Sequence, residues 1–252
     1  MFCVELAGLR IRFDHKYDLI REQCADYIVA DVQNPDLVVG LLEERIFQIK
    51  WYTMRGGERR YLTQEEIEYE RCPITNLYPQ LPAFDAFWLH AAAVEMDGAA
   101  YAFTARSGRG KSTHAKNWLT YYPDRARIIN GDEPIIRRVN GIYRAYGTPF
   151  CGKEMYNINT SAPLQGLCYL QRGETNAIER MEPTEAFAYL MTDYQNYGTI
   201  QEENRLQYMD LLTDFVEKVP VYILTCNQDP EAARVAFEGM RDGRAAMRHG
   251  GR

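Results

Sequence analysis

The sequence predicts an α/β fold whose sheet mixes parallel and antiparallel strands. The pairs Asp97-Gly98 and Asn140-Gly141 each separate two apolar runs, which is typical of hairpins between antiparallel strands. A strand-like run over 99–105 leads through a glycine-rich loop into a helical pattern, the kind of crossover that connects parallel strands. Apolar residues recur at helical spacing over 200–218, which predicts a helix packed on the sheet.

The first 82 residues predict a small β-rich region. Apolar residues alternate on both sides of Ala7-Gly8, which predicts a strand interrupted by a bulge. Thr63 followed by Glu66 predicts a helix over 63–72 that begins with a capping box. The proline-spaced stretch 72–84 predicts a connection. Further short strands are predicted at 26–32, 36–42 and 45–54, the last ending at the turn Gly56-Gly57.

Residues 83–245 predict the larger domain, which carries the mixed sheet. Helices are predicted at 111–119, 183–193, 200–218 and 229–240. In the third of these, Leu206, Met209, Leu212 and Phe215 form an apolar stripe that is expected to face the core. Strands are predicted at 87–96, 99–105, 125–131, 134–139, 142–150, 166–173 and 220–226.

Charge and composition argue against several classes of protein. The 35 acidic residues outnumber the 29 basic ones, which disfavours a nucleic-acid partner. No run of 18 apolar residues is present, and the start lacks the pattern of a signal peptide. Six cysteines and four histidines are scattered without a C-x-x-C pair, which favours free thiols over a zinc site. We therefore expect a cytoplasmic protein with no membrane partner.

The stretch Ala105–Ser112, read as ARSGRGKS, matches a phosphate-binding loop except that alanine replaces the first glycine. Gly108 and Gly110 permit the tight backbone that points N–H groups at an anion. Lys111 supplies a positive charge for the β- and γ-phosphates, and the hydroxyl of Ser112 is a ligand for Mg²⁺. The helix that follows directs its N-terminal dipole at the phosphate. The loop therefore predicts a nucleotide site, a P-loop, between a strand and a helix.

Three further stretches accompany the loop. LHAAAVEM places His90 on a strand, fifteen residues before Ala105. IINGDEPII places Asp132 and Glu133 at the end of another strand. YGTPFCGKE supplies a turn that carries Cys151, for which packing is a better interpretation than nucleophilic chemistry, and Lys153.

Taken together, these stretches resemble the kinase domain of HPr kinase/phosphorylase, whose fold is similar to the nucleotide-binding core of phosphoenolpyruvate carboxykinase. The resemblance covers residues 85–160 and, more loosely, the part to about 240. It implies a serine-type phosphotransferase that uses ATP and Mg²⁺. Where the family has two adjacent aspartates, this chain has Gly131 and then Asp132. If the missing carboxylate limits catalysis, Gly131→Asp is expected to raise activity.

The resemblance assigns a role to each matching residue. His90, Lys111 and Asp132 are the implied catalytic residues, and Ser112 and Asp132 the implied Mg²⁺ ligands. Arg106 and Arg109 are candidates for neutralising a triphosphate. The implied nucleotide-binding residues are Ala105, Arg106, Ser107, Gly108, Arg109, Gly110, Lys111, Ser112, Thr113 and Lys153.

Several alternatives stay open at the level of sequence. The acceptor is a serine hydroxyl in a protein, a peptide or a small molecule, and the phosphoryl donor is ATP or another such compound. Because Asp132 lacks its neighbour, a nucleotide-binding switch or accessory protein with little or no catalysis is the alternative function. Reverse phosphorolysis and a homo-oligomeric state, both properties of the family, are not decided by these motifs.

Overall fold

The computed structural model describes residues 1–55, 57–106, 108–192, 200 and 202–250 of the chain. Its strands are β1 (Phe2–Leu6), β2 (Leu9–Phe13), β3 (Ile28–Val29), β4 (Leu37–Val39), β5 (Tyr52–Arg55), β6 (Glu58–Tyr61), β7 (Ala86–Trp88), β8 (Ala91–Met96), β9 (Ala99–Thr104), β10 (Ala126–Asn130), β11 (Ile135–Val139), β12 (Ile142–Tyr146), β13 (Ser161–Arg172), β14 (Ala177–Arg180) and β15 (Val221–Cys226). Its α-helices are α1 (Asp18–Gln23), α2 (Glu44–Gln48), α3 (Gln64–Cys72), α4 (Lys111–Tyr121), α5 (Pro183–Thr192), α6 (Arg205–Lys218) and α7 (Glu231–Gly250).

The large sheet is mixed, as the sequence predicts. Its strands follow the order β10-β8-β9-β13-β12-β11-β7, and β15 and β14 extend it from β13. The long strand β13 is parallel to both β9 and β15 and antiparallel to β12. The hairpins at Asp97-Gly98 and Asn140-Gly141 are both present, with all four residues at positive φ. Such angles are those of a type I′ turn, which suits the twist of antiparallel strands.

The N-terminal region has its own four-stranded sheet, in the order β3-β1-β2-β4, and a separate hairpin of β5 and β6. The predicted bulge at Ala7-Gly8 is wrong, because both residues adopt positive φ and turn the chain back as a β1–β2 hairpin. The predicted strand over 45–54 is also wrong in its first half. Residues 44–48 form α2, and only β5 is extended.

Helix α3 begins with the predicted capping box, in which Thr63 and Glu66 each bond the other's backbone N–H. After α3 the predicted connection is not extended: residues 73–77 form a π-helical turn and 78–84 a 3₁₀ turn. The apolar stripe of α6 needs one correction, because the Leu206 side chain is 77% exposed while Leu212 and Phe215 are buried.

Three groups of buried side chains hold these layers together. One lies between the large sheet and α5 and α6, and a second between the sheet and α4 and α7. The third joins the N-terminal sheet and α3 to Trp88 of β7, Ile135 of β11 and Phe150. The N-terminal region is thus packed against the large sheet near the ends of β7 and β11. Within the part of the chain that the structure describes, no helix is long and apolar enough to cross a membrane.

Candidate functional site

The glycine-rich loop connects β9 to α4 as the sequence predicts. Gly108 and Gly110 have φ of 73° and 112°, a region that side chains with a Cβ rarely adopt. Gly110 is the residue immediately before α4, so the helix begins at Lys111, and Ser112 and Thr113 lie in its first turn. The first N–H groups of a helix have no partner within it and carry its positive dipole end. The loop therefore has the local geometry of an anion site.

The three residues implied as catalytic lie together beside the first turn of α4. Lys111 Nζ is 2.6 Å from His90 Nε2 and 3.4 Å from Asp132 Oδ1. The same His90 Nε2 is 3.2 Å from Asp132 Oδ1. An ammonium group donates only, so Nε2 accepts from Lys111 when it is unprotonated and can donate to Asp132 only when it carries a proton. The protonation of His90 thus determines which neighbour it binds.

His90 and Asp132 meet because two strands break at the same level of the sheet. His90 lies between β7 and β8, and Asp132 lies between their partner strands β11 and β10. Across this break, Ala91 N donates to Asp132 O at 2.8 Å, and Thr104 Oγ1 donates to His90 O at 2.9 Å. The sheet itself therefore holds the two side chains next to each other.

Asn130 fixes the backbone of the acidic pair, a role that the sequence analysis missed. This side chain is fully buried, and its Oδ1 accepts hydrogen bonds from the N–H groups of Asp132 at 2.9 Å and Glu133 at 2.7 Å. Its Nδ2 donates to the carbonyl and hydroxyl oxygens of Thr148, each at 3.0 Å. An asparagine whose side chain bonds N–H groups two and three residues ahead is a known turn signal. Asn130 in the IINGDE stretch could therefore have been recognised from the sequence as a turn residue.

The two neighbouring acids experience opposite environments. Burial acts to raise the pKa of Asp132, but the contact with His90 and the charge of Lys111 outweigh it and hold this pKa below its ordinary value. Burial raises the pKa of Glu133 to about 8, and its carboxylate accepts a hydrogen bond from Tyr78 Oη at 2.7 Å. Asp132 is therefore the ionised acid of the cluster, whereas Glu133 is directed into the core.

Gly131 is packed too closely to accept a side chain without a shift of its neighbours. A Cβ at this position would lie 3.0 Å from the carbonyl oxygen of Cys151 and 3.4 Å from the Cβ of Tyr156. The Gly131 N–H also donates to Tyr156 O at 2.8 Å, which holds the 151–156 segment against it. An aspartate at position 131 therefore requires its neighbours to shift by a few tenths of an ångström, and the effect of Gly131→Asp on activity stays a prediction.

A pocket of about 870 Å³ opens over the loop and the cluster. His90, Lys111, Ser112, Thr113 and Asp132 line it, as do Gly108, Arg109, Gly110 and Lys153. Arg106 is exposed and Ala105 is buried at the end of β9, and neither belongs to the lining residues. Ser107 lies outside the described residues.

Lys153 lines the pocket but is bonded to the N-terminal region. Its Nζ donates to the backbone carbonyl of Met54 in β5 at 2.8 Å, so it joins the turn at 151–154 to the N-terminal hairpin. The neighbouring Cys151 is buried, and burial raises the pKa of its thiol to about 11. A protonated buried thiol is a poor nucleophile, which agrees with the interpretation of Cys151 as a packing residue.

The pocket is completed at both ends by residues that the sequence analysis did not select. Beyond α4, Arg172 Nη2 donates to Gly108 O at 3.1 Å, and buried Asn117 donates to the carbonyls of Gln228 and Asp229. On the opposite side, β5 and α3 of the N-terminal region contribute Tyr52 and Glu70. None of these residues belongs to a local motif; only the tertiary fold brings them to the loop.

Two pocket residues carry hard oxygen ligands that suit a divalent cation. Among the described residues, no group of three or more histidines, cysteines and acids is arranged to hold a metal ion. Ser112 and Asp132 line the same pocket, and Asp132 also contacts Lys111. A hydroxyl and a single carboxylate suit Mg²⁺, which binds through one or two protein oxygens together with phosphate oxygens and water.

Comparisons with known proteins give one family and distant structural likenesses. Residues 72–230, well over half of the chain, match the family described as SynChlorMet cassette protein ScmC. The solved structure of the Hpr(Ser) kinase/phosphatase from Coxiella burnetii aligns at 11% sequence identity and a TM-score of 0.38, covering 64% of this chain and 92% of that one. No curated protein matches the sequence.

Proposed function

This chain belongs to the SynChlorMet cassette protein ScmC family, and we propose that it is an ATP-dependent kinase that phosphorylates a hydroxyl group. The hydroxyl is that of a serine in a protein, a peptide or a small molecule. One observation carries the proposal: at the N-terminus of α4, the P-loop lysine contacts both a histidine and an ionised aspartate in one pocket. Phosphoryl transfer needs little else from a protein, because positioning and charge stabilisation account for most of its catalysis.

The residues present fit a nucleoside triphosphate with Mg²⁺. No described atom lies within 4 Å of where a Cβ would stand at Gly108 or Gly110, so the loop surface is open to an incoming phosphate. Ser112 and Asp132 would hold the cation, and the described pocket is large enough for a nucleotide. When bound, Mg²⁺ neutralises negative charge on the phosphate oxygens.

The side chains of the cluster divide the remaining tasks. Lys111 moves its ammonium group from His90 and Asp132 to the phosphates, which then provide its negative partners. His90, released from Lys111, can adopt the neutral tautomer that carries its proton on Nε2 and donate a hydrogen bond to Asp132, 3.2 Å away. Asp132 thus keeps a hydrogen-bonding partner after Lys111 has turned to the nucleotide, and its carboxylate stays fixed toward the cation.

A nucleotide-binding switch is the second candidate, and the packing at Gly131 favours it. The closed environment of Gly131 leaves the cluster with one ionised carboxylate, whereas the related kinases implied by the motifs use two. A protein of this kind would bind ATP and change its contacts without turning it over. The two candidates share the loop and differ in whether Asp132 supports acceptor-dependent turnover.

The experiment that tests the proposal measures release of ADP from ATP and Mg²⁺, with and without free serine or a pool of serine-containing peptides. Turnover stimulated by an acceptor is expected. Asp132→Asn should reduce it by about 10²–10⁴-fold while nucleotide binding remains. Lys111→Ala should abolish the rise in Tm that nucleotide produces. Lys116→Ala is the matched control, because Lys116 lies on the exposed face of the same helix in an ion pair with Glu154.

Each outcome decides between the candidates. Unchanged nucleotide stabilisation in Lys111→Ala contradicts the assignment of the loop as a phosphate site. Tight binding of ATP with no turnover under any acceptor condition contradicts the kinase and supports the switch. Full activity in Asp132→Asn assigns the essential carboxylate to another residue.

A further inference from the structure

The cluster at the loop contains one ionised carboxylate, but the proposed reaction has two tasks for carboxylates. A kinase of this type has to hold the cation and also has to accept or orient the proton of the acceptor hydroxyl. Asp132 contacts Lys111 and His90 through one oxygen, Oδ1, and lies beside the first turn of α4. This position suits the cation and the phosphates, so a different group has to serve the acceptor.

Within the part of the chain that the structure describes, the other carboxylates that line the pocket are Glu70 and Glu154. Glu154 forms an ion pair with Lys116 on the outer face of α4. Glu133 is next to Asp132 in sequence but is not a lining residue, and its carboxylate is bonded to the fully buried Tyr78. Glu70 lines the pocket and has no short ion pair among the described residues, since its partner Arg71 is 3.9 Å away.

Helix α3 is held firmly enough to position a catalytic group. On one side, the buried carboxylate of Glu68 accepts hydrogen bonds from the N–H groups of Lys16 at 2.7 Å and Tyr17 at 2.9 Å. On the other side, Tyr69 Oη donates to Pro149 O at 2.7 Å, and its ring lies 5.7 Å from that of Phe150. The two residues preceding Glu70 thus tie α3 to the segment between β2 and α1 and to the 149–154 turn that borders Asp132.

The charges around Glu70 come from both walls of the pocket. Burial raises its pKa; Arg71 and Lys153 act to lower it, while Asp132 and Glu66 act to raise it. Glu70 in turn contributes to the raised pKa values of Tyr69 and Glu133 and to that of Arg60. Glu70 and Asp132 thus act on each other's side of the same pocket, which both residues line.

We propose that Glu70, contributed by the N-terminal region, is the catalytic carboxylate that accepts the proton of the acceptor hydroxyl, and that Asp132 is left to hold the cation. The inference rests on the proposed kinase function. As the acceptor oxygen forms its bond to the γ-phosphorus, its proton passes to the Glu70 carboxylate. The bond from the γ-phosphorus to the bridging oxygen breaks, and its electron pair leaves with ADP. Glu70 then releases the proton to solvent.

The test compares Glu70→Gln with Glu65→Gln in the full-length protein, using the acceptor that stimulates ADP release. Glu65 is an exposed residue in the first turn of the same helix and does not line the pocket, so it is the matched control. Glu70→Gln is expected to lower kcat by about 10²–10⁴-fold, with the KM for ATP and the nucleotide-induced rise in Tm unchanged. Glu65→Gln is expected to stay within about twofold of the unmodified protein.

Chemical rescue separates a proton acceptor from a merely structural residue. Added formate should restore part of the turnover of Glu70→Ala, because a small carboxylate can enter the space that the side chain vacates, and it should not affect Asp132→Asn. Wild-type kcat in Glu70→Gln overturns the inference while leaving the kinase intact. Recovery of Glu70→Gln at saturating Mg²⁺ also overturns it, because Glu70 would then hold the cation. Absence of acceptor-stimulated ADP release in the unmodified protein removes the kinase proposal and the inference with it.

Discussion

The two walls of the pocket hold their charged groups in different ways. On the wall formed by α4 and the break between β10 and β11, Lys111, His90 and Asp132 lie within 3.4 Å of one another, and the Lys111 side chain is 9% exposed. On the wall formed by α3 and β5, Glu70 is 3.9 Å from Arg71 and its side chain is 49% exposed. The first wall is assembled before any ligand arrives, whereas the second keeps its charges accessible to solvent.

Under the proposed kinase function, this difference matches what each wall would recognise. A triphosphate is the same for every nucleotide kinase, so the groups that bind it can be held close together in advance, and only the Lys111 ammonium group then has to move to the phosphates. An acceptor hydroxyl arrives on a molecule of variable shape, and the groups that meet it need access. We therefore expect substitutions in the first wall to alter stability and turnover with every acceptor. Substitutions in the second wall should alter the use of the acceptor.

The largest effect on stability is expected from Asn130→Ala, which removes the side chain that supports the first wall. The change leaves the buried N–H groups of Asp132 and Glu133 without their acceptor. Each unsatisfied buried group costs about 1–3 kcal/mol, so the free energy of unfolding should fall by roughly 3 kcal/mol. Urea denaturation measures this change in the free energy of unfolding. Asn159→Ala, which removes one exposed hydrogen bond to Asp26, is the control and should cost less than about 1 kcal/mol.

The next effect is expected at Gly131, where the first wall is closed against the 151–156 segment. Gly131→Asp should lower the free energy of unfolding by about 1–3 kcal/mol through overpacking, and activity should fall. Gly40→Ala serves as the control, because no described atom lies within 4 Å of a Cβ there. A stable Gly131→Asp protein with raised turnover would contradict this prediction. It would show that the 151–156 segment shifts at little cost and that the missing carboxylate limits catalysis.

The residues of the first wall could be predicted from the sequence better than those of the second wall, for a physical reason. The loop, its lysine and the start of α4 depend on neighbouring residues, so the motif predicted them, as did the hairpins at Asp97-Gly98 and Asn140-Gly141. The meeting of His90 with Asp132 was implied by a resemblance; the break in the sheet that causes it cannot be read from local patterns. Glu70 was missed, because only the packing of α3 brings it to the pocket.

Secondary structure in the N-terminal region shows the same limit. The apolar run at 45–54 alternates like a strand, but part of it forms the short helix α2, whose Ile46 and Phe47 pack on the third core. Ala7-Gly8 was interpreted as a bulge because it interrupts two alternating apolar runs, yet the hairpin forms there and the Ala7 carbonyl accepts a hydrogen bond from Arg137 of β11. Tertiary contacts decided both cases.

A smaller effect, on activity, tests how the turn between the walls positions Asp132. A Cβ at Gly152 would lie 3.0 Å from Asp132 Oδ2, so Gly152→Ala should displace the carboxylate and lower turnover by about 10–100-fold. Gly141→Ala is the matched control, since both glycines have similar positive φ, 74° and 78°, and the Gly141 turn is open. Equal kinetics in the two variants would mean that backbone strain, and not contact with Asp132, causes any loss.

The smallest effect is a change in how stability depends on pH, and it concerns Glu133 behind the first wall. Its pKa in the folded protein, about 8, is above the ordinary value of 4.5, so the unfolded chain loses this proton first as the pH rises. The free energy of unfolding should therefore decrease between about pH 4.5 and pH 8, by at most about 1.4 kcal/mol per pH unit. Glu133→Gln, which retains an acceptor for Tyr78, should remove this decrease.

Buried His114 gives the opposite slope in part of that range. Burial lowers its pKa to about 3, so the unfolded chain gains a proton below about pH 6.5 and stability declines toward acid. Because His114 is present in both proteins, its contribution cancels when unfolding of the unmodified protein and Glu133→Gln is compared at pH 5, 6.5 and 8. A difference that grows with pH supports a protonated Glu133 behind an ionised Asp132. Parallel curves would mean that Glu133 is ionised and that the first wall contains two negative charges.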